Sequence, residues 1–171
     1  MEIKEMYLMV SDIHGEEEGA ELVKRAARHF GAEGILSAGD QCPDPSDQAF
    51  YSSLISVRGN CDRFYEYGAV PFPPRVRSID LLGHRIEITH GDILSLDDFD
   101  LGKGSIFLHG HTHVPMLEEI NGIYSVNPGS PSRPRSSEGP TAVLFSEDGL
   151  VLFSLLDFSH LRSLSFSSSK P

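Results

Sequence analysis

The run Tyr7-Leu8-Met9-Val10-Ser11-Asp12-Ile13-His14-Gly15 is four apolar residues followed at once by a polar turn. With no alternation, its first half is the pattern of a strand buried on both faces of a parallel sheet. Working outward, Glu16 to Phe30 places Leu22, Val23, Ala26, Ala27 and Phe30 at helical spacing, with acids in the first turn and Gly31 at the stop. Ile35 to Ala38 reads as a second strand, Asp47 to Leu54 as a short helix and Ile55 to Arg58 as a third strand. Strand and helix in alternation predict a parallel α/β sheet.

Beyond Gly68 the rhythm changes. Prolines 71, 73 and 74 forbid helix or central strand, and paired apolar runs then flank short turns: Gly83-His84, Asn121-Gly122 and Asp148-Gly149. Ile106 to Leu108 is another buried strand. A parallel first half and a hairpin-built second half predict two packed mixed β-sheets in one α/β (α+β) domain, residues 1–158. Residues 159–171, rich in serine, read as a flexible tail.

The 171 residues suit a single domain. Lys and Arg number 14 against 25 Asp and Glu, a net charge of −11. That balance argues against gripping extended nucleic acid or an anionic membrane, which needs clustered basic side chains. Two cysteines, Cys42 and Cys61, make no disulfide framework. The acidic start and the lack of a long apolar run predict neither signal peptide nor membrane span, hence a cytoplasmic location.

Chemistry gathers where strands end, as ligands do in α/β folds. The ends read Ser11-Asp12-Ile13-His14-Gly15, Gly39-Asp40, Gly59-Asn60-Cys61-Asp62, His90-Gly91-Asp92 and His109-Gly110-His111-Thr112-His113. Taken singly, each is an ordinary turn or a core histidine. Jointly, Asp12, His14, Asp40, Asn60, His90, His111 and His113 offer seven oxygen and nitrogen donors, too many for one ion and suited to two. Such donors favour Mn, Ni, Fe or Zn, and two ions about 3.5–4 Å apart are a device for phosphoester hydrolysis.

D-x-H-G, G-D, G-N-x-D, H-G and G-H-x-H in this order resemble the calcineurin-like metallophosphoesterase superfamily, and Asn127-Pro128-Gly129-Ser130 with G-N-C-D is similar to its YfcE-type phosphodiesterase family. The resemblance implies a four-layer αββα sandwich. It implies a first metal on Asp12, His14 and His113, a second on Asn60, His90 and His111, and Asp40 as bridge. A hydroxide shared by both ions would attack phosphorus in line, with Asp40, Asn60 and His90 among the catalytic groups. The cofactors implied are two divalent ions, Mn first, and the partner a small phosphodiester; relatives commonly self-associate as homo-oligomers. Alternatives are a phosphomonoesterase or nucleotide pyrophosphatase on the same metals, and a protein-binding scaffold like the small retromer subunit. The wider family has histidine where this chain has Cys61, a weaker proton donor at neutral pH, so diesters with good leaving groups are expected. Cys61 and Arg133 are candidate substrate contacts, Asp92 a candidate orienter of His90, and His109 a structural residue; His29, His84 and His160 read as exposed.

Overall fold

The computed structural model describes residues 4–166. Strand β1 (Tyr7–Val10) leads into helix α1 (Glu17–Phe30), and the pattern repeats through β2 (Gly34–Ser37), α2 (Gln48–Ser52) and the two-residue β3 (Ile55–Ser56). Hairpins and short strands follow: β4 (Val76–Leu81), β5 (His84–Thr89), β6 (Ile106–Leu108), β7 (Met116–Ile120), β8 (Ile123–Asn127), β9 (Thr141–Ser146), β10 (Gly149–Ser154) and β11 (His160–Ser165). Among the described residues they form two mixed sheets, in the orders β11-β10-β9-β1-β2-β3 and β4-β5-β6-β8-β7. In the first, β1, β2 and β3 run parallel while β9 pairs antiparallel with β1. In the second, β5, β6 and β8 run parallel.

The period of two along β1 divides its residues between two cores. Met9 points between the sheets, where it meets Leu36, Ile86, Ile88, Ile106, Leu108 and Val126. Leu8 and Val10 point the other way, against Ala20, Val23 and Ala26 of α1 and Tyr51 of α2. Burial on both faces is why the strand reads as unbroken apolar sequence. Helix α1 ends where expected, with Gly31 in the left-handed region at φ 63° and its amide bonding back into the last turn.

The two central sheets and the helices over the first agree with expectation. Over the second sheet, however, the described residues place coil with one 3-10 turn, Leu96–Asp98, and Phe99 against Phe107 instead of a helical layer. Two hairpin turns sit one residue earlier than the glycine signals suggest. Leu82-Gly83 and Glu147-Asp148 are the turns, because Leu81 pairs with His84 and Ser146 with Gly149. Gly149 has another purpose: a Cβ there would strike the Leu164 carbonyl of β11.

The expected tail is corrected over 160–165, where β11 pairs with β10. A bulge at Leu152/Phe153 shifts the register, so Leu161 and Leu164, with Phe166, pack on the core although their spacing is not a simple alternation. Residues 167–171 of that tail lie outside the described residues. His84, expected exposed, is half-buried against Phe166, with Nδ1 2.6 Å from the Gly104 carbonyl. Among the described residues no helix is long and apolar enough to cross a membrane.

Candidate metal centre

Five strand ends converge because their loops bond to each other. The amides of Asp12 and His14 donate to the Gly39 and Asp40 carbonyls at 2.9 Å, and the Gly110 amide donates to the His90 carbonyl at 2.9 Å. Approach this close needs missing side chains. A Cβ at Gly59 would collide with the Asp40 carboxylate and the His90 ring, and one at Gly110 with Ser11 and Asp12. The glycines beside Asn60 and His111 therefore report crowding.

Each carboxylate divides its two oxygens between scaffold and centre. Asp12 Oδ2 accepts from Ser11 Oγ (2.6 Å) and the His111 amide (3.0 Å), while its buried Oδ1 has no hydrogen-bond partner. That free oxygen faces His113 Nε2 at 3.3 Å, His14 Nε2 at 3.6 Å and His90 Nε2 at 3.8 Å. Asp40 follows the same plan: Oδ1 accepts the Cys61 amide at 2.8 Å, and Oδ2 lies 3.2 Å from His90 Nε2 and 3.7 Å from His14 Nε2.

Backbone carbonyls orient the imidazoles. His90 Nδ1 donates to Ala38 at 2.7 Å and His113 Nδ1 to Arg133 at 2.7 Å, which turns each Nε2 inward. Ala38 thus takes the role considered for Asp92. His111 Nδ1 meets Asn60 Oδ1 at 3.2 Å, with the His111 ring 5.1 Å from that of His90. All seven predicted donors are brought together. Ligand atoms of Asp12, His14 and His113 lie within 4.8 Å of one another, as do those of Asp12, Asp40 and His90, and those of His14, Asp40 and Cys61.

The donor set fits divalent metal on two grounds. Asp12 Oδ1 and His90 Nε2 are buried without hydrogen-bond partners, an arrangement that is costly unless something else binds them. Asp12, His14, Asp40, His111 and His113 also hold φ between 54° and 73°, a left-handed region that costs a non-glycine residue roughly 1–3 kcal/mol. Backbone strain concentrated on these donors is what a functional constraint produces.

Electrostatics agree. Burial would raise the Asp12 and Asp40 carboxyl pKa values, but the surrounding histidines outweigh it and both fall below the usual range. Burial would lower that of His90, yet Asp40 and Asp12 bring it to about 9. A value raised above the unfolded ~6.5 adds stability that is complete below pH 6.5 and is lost as pH climbs through 9. Chelated protein should therefore lose up to about 3 kcal/mol between pH 6.5 and 9. A metal held by His90 would replace that proton and remove the loss; parallel melting profiles with and without chelator would contradict this.

Several residues have a positioning role that the sequence does not disclose, although Asp62, Asn127 and Ser130 stand in its motifs. Buried Asp62 accepts the amides of Asp40 (2.8 Å), Cys42 (2.9 Å) and Gly59 (2.8 Å), tying two ligand loops together. Asn127 Nδ2 donates to the Gly110 carbonyl at 3.0 Å, Ser130 Oγ to that of Asp12 at 2.8 Å and Ser132 Oγ to that of Ile13 at 2.6 Å. Asn-Pro-Gly-Ser is thus a clamp on the Asp12 and His111 loops. The guanidinium of Arg133 is not brought to the donors; it pairs with exposed Glu16 at 2.9 Å. His109 bonds Ser125 and is held neutral by burial, its pKa pushed down to about 4.

Known proteins share both sequence and fold. Phosphodiesterase YfcE of Escherichia coli K12 is 26% identical, over 94% of this chain and 97% of its own. A probable metallophosphoesterase of Methanothermobacter thermautotrophicus is 29% identical, over 82% and 85%. The solved E. coli YfcE phosphoesterase superposes with a TM-score of 0.84 at 24% identity, covering 95% of this chain and all of that one. Vps29 of Entamoeba histolytica complexed with Zn2+ gives a TM-score of 0.67 at 19% identity, over 95% and 99%, a likeness of fold. Residues 6–149 match the calcineurin-like phosphoesterase superfamily domain, and with the strand-end motifs all inside that span the chain belongs to this superfamily.

Proposed function

We propose that the protein is a dinuclear, metal-dependent hydrolase of small phosphodiesters. The observation that supports this best is the inward-facing donor set: Asp12 Oδ1, Asp40 Oδ2 and the Nε2 atoms of His14, His90 and His113, with Asn60 and His111 beside them. Asp12, His14 and His113 would hold one ion, Asn60, His90 and His111 the other, with Asp40 between. Bound there, divalent ions supply a nucleophile from water at neutral pH and positive charge against the phosphoryl oxygens. Mn is the ion favoured by mixed imidazole and carboxylate donors, with Ni, Fe or Zn as competitors. The relatives' names support a phosphodiester, and the complete donor set speaks against a scaffold that has lost its ligands.

The chain's own residues do the rest. Asn60 is exposed at the mouth and can donate an amide hydrogen to a phosphoryl oxygen. Burial and then Asp40 push the Cys61 thiol up, so at neutral pH it keeps its proton and gives it up poorly to a leaving group. Esters whose leaving group needs no proton are therefore preferred. Cys61→His should raise turnover of an alkyl monoester, glycerol 2-phosphate, relative to bis(p-nitrophenyl) phosphate, and an unchanged ratio would reject this role for the thiol.

Chelation with add-back of metals tests the function. Hydrolysis of bis(p-nitrophenyl) phosphate should be lost with chelator and return with Mn or Ni before Mg. Best recovery with Mg would contradict the ligand-field argument, and no turnover with any ion would contradict the function.

A further inference from the structure

We infer that Phe64 and Tyr65 form a stacking platform for an uncharged aromatic arm of the phosphodiester, which makes them specificity-determining residues; this rests on the phosphodiesterase reading above. The two rings are 76% and 75% exposed, although side chains of this kind normally lead into a core. They sit on a 3-10 turn, Phe64–Glu66, four and five residues beyond Asn60. Even a fully extended chain keeps Phe64 within roughly 14 Å of that residue.

Exposure here does not mean looseness. The Phe64 ring meets Phe72 edge-on at 5.6 Å, and Phe72 meets buried Tyr67 at 5.1 Å with the Arg58 guanidinium 4.9 Å over it. Tyr67 takes a hydrogen bond at 3.1 Å from buried Gln41, the residue that directly follows Asp40. An unbroken series of contacts thus sets the exposed ring relative to the donor set before any ligand arrives, which lowers the ordering cost of binding.

Beside the platform lies a cleft of about 420 Å³ walled by Pro43, Pro45, Tyr65 and Tyr67, starting one residue beyond Cys42. Its polar groups are Asp44, Glu66 and Gln48, and among the described residues no lysine or arginine lines it. Flat apolar walls accept a ring, and the carboxylates and amide can take hydrogen bonds from amino substituents. The same carboxylates repel a second phosphate. The chemical class selected is a phosphodiester with one negative charge and one arm bearing an uncharged aromatic ring, either aryl or nucleobase.

Three substrates with one leaving group isolate the second arm: the p-nitrophenyl phosphodiesters of methanol, phenol and thymidine (through its 5′ oxygen). With Mn-loaded enzyme, the two aromatic arms should give kcat/KM about 10-fold above methyl. Phe64→Ala and Tyr65→Ala should remove that advantage through KM, bringing the aromatic esters down to the level of the methyl ester, whereas Leu156→Ser, at an exposed site on the turn after β10, should keep it. A thymidyl arm better than phenyl assigns the site to nucleobases; equality assigns it to any ring. Calorimetric binding of diphenyl against dimethyl phosphate supplies a readout free of turnover. Preference for diphenyl phosphate that is lost in both alanine variants upholds the platform even if no ester is hydrolysed, in which case the phosphodiesterase reading alone falls. Equal binding of the two phosphates overturns the platform whatever the turnover.

Discussion

Asp40→Asn is expected to lower bis(p-nitrophenyl) phosphate turnover by more than about 100-fold, beyond the range typical of residues that merely orient a ligand. Its Oδ2 lies 3.7 Å from His14 Nε2 and 3.2 Å from His90 Nε2, and so faces both halves of the donor set, as Asp12 Oδ1 also does. An amide in its place would remove the charge proposed to lie between two cations. It also presents either a neutral oxygen or an NH2 group to His90, whose raised pKa depends on that carboxylate. Metal content should fall at both positions together. Loss of one ion with the other held at full occupancy would show that Asp40 serves a single site.

The second large effect is on stability. Asp62→Ala leaves the amides of Asp40, Cys42 and Gly59 without their acceptor, each worth roughly 1–3 kcal/mol when buried. Burial makes the Asp62 charge itself costly, raising its carboxyl pKa, so the net loss should lie near the low end, about 3 kcal/mol. For a domain of this size that lowers Tm by about 6–12 °C. Asp62→Asn keeps one carbonyl oxygen and should melt between the two. In that milder variant, metal affinity should drop about 10–100-fold because the Asp40 and Gly59 loops are no longer fixed. Unchanged metal affinity in a folded Asp62→Asn protein would reduce Asp62 to a purely structural residue.

What the sequence discloses follows from how far each cause acts along the chain. Tyr7–Val10 and Asp12-x-His14 are legible because both signals are local: an unbroken apolar run, then ligand-type residues beside a glycine. The seven donors could be read together because each occupies the same position, the end of a strand, and donor chemistry depends on residue type. Asp62 and Ser130 stand in the quoted motifs, but their roles, like that of Ser132, were not legible because the work is done on partners elsewhere in the chain, such as the Ser130 hydroxyl on the Asp12 carbonyl. Likewise, nothing local announces that Glu16 lies beside Arg133.

One of the two displaced turn positions erred because its glycine answered to a tertiary demand. Gly149 is required by the close passage of Leu164 and not by the turn itself. Strand β11 was hidden because the bulge at Leu152/Phe153 breaks its alternation. The serines between its apolar residues resemble tail composition, yet the pairing with β10 is made by backbone, which any sequence can supply.

Metal content of the protein after Mn loading and removal of free ion tests the central claim most directly. The seven converging donors, with Asp40 between two groups of ligands, predict two ions per chain. One ion or none at saturation would contradict the dinuclear centre and, with it, the proposed chemistry.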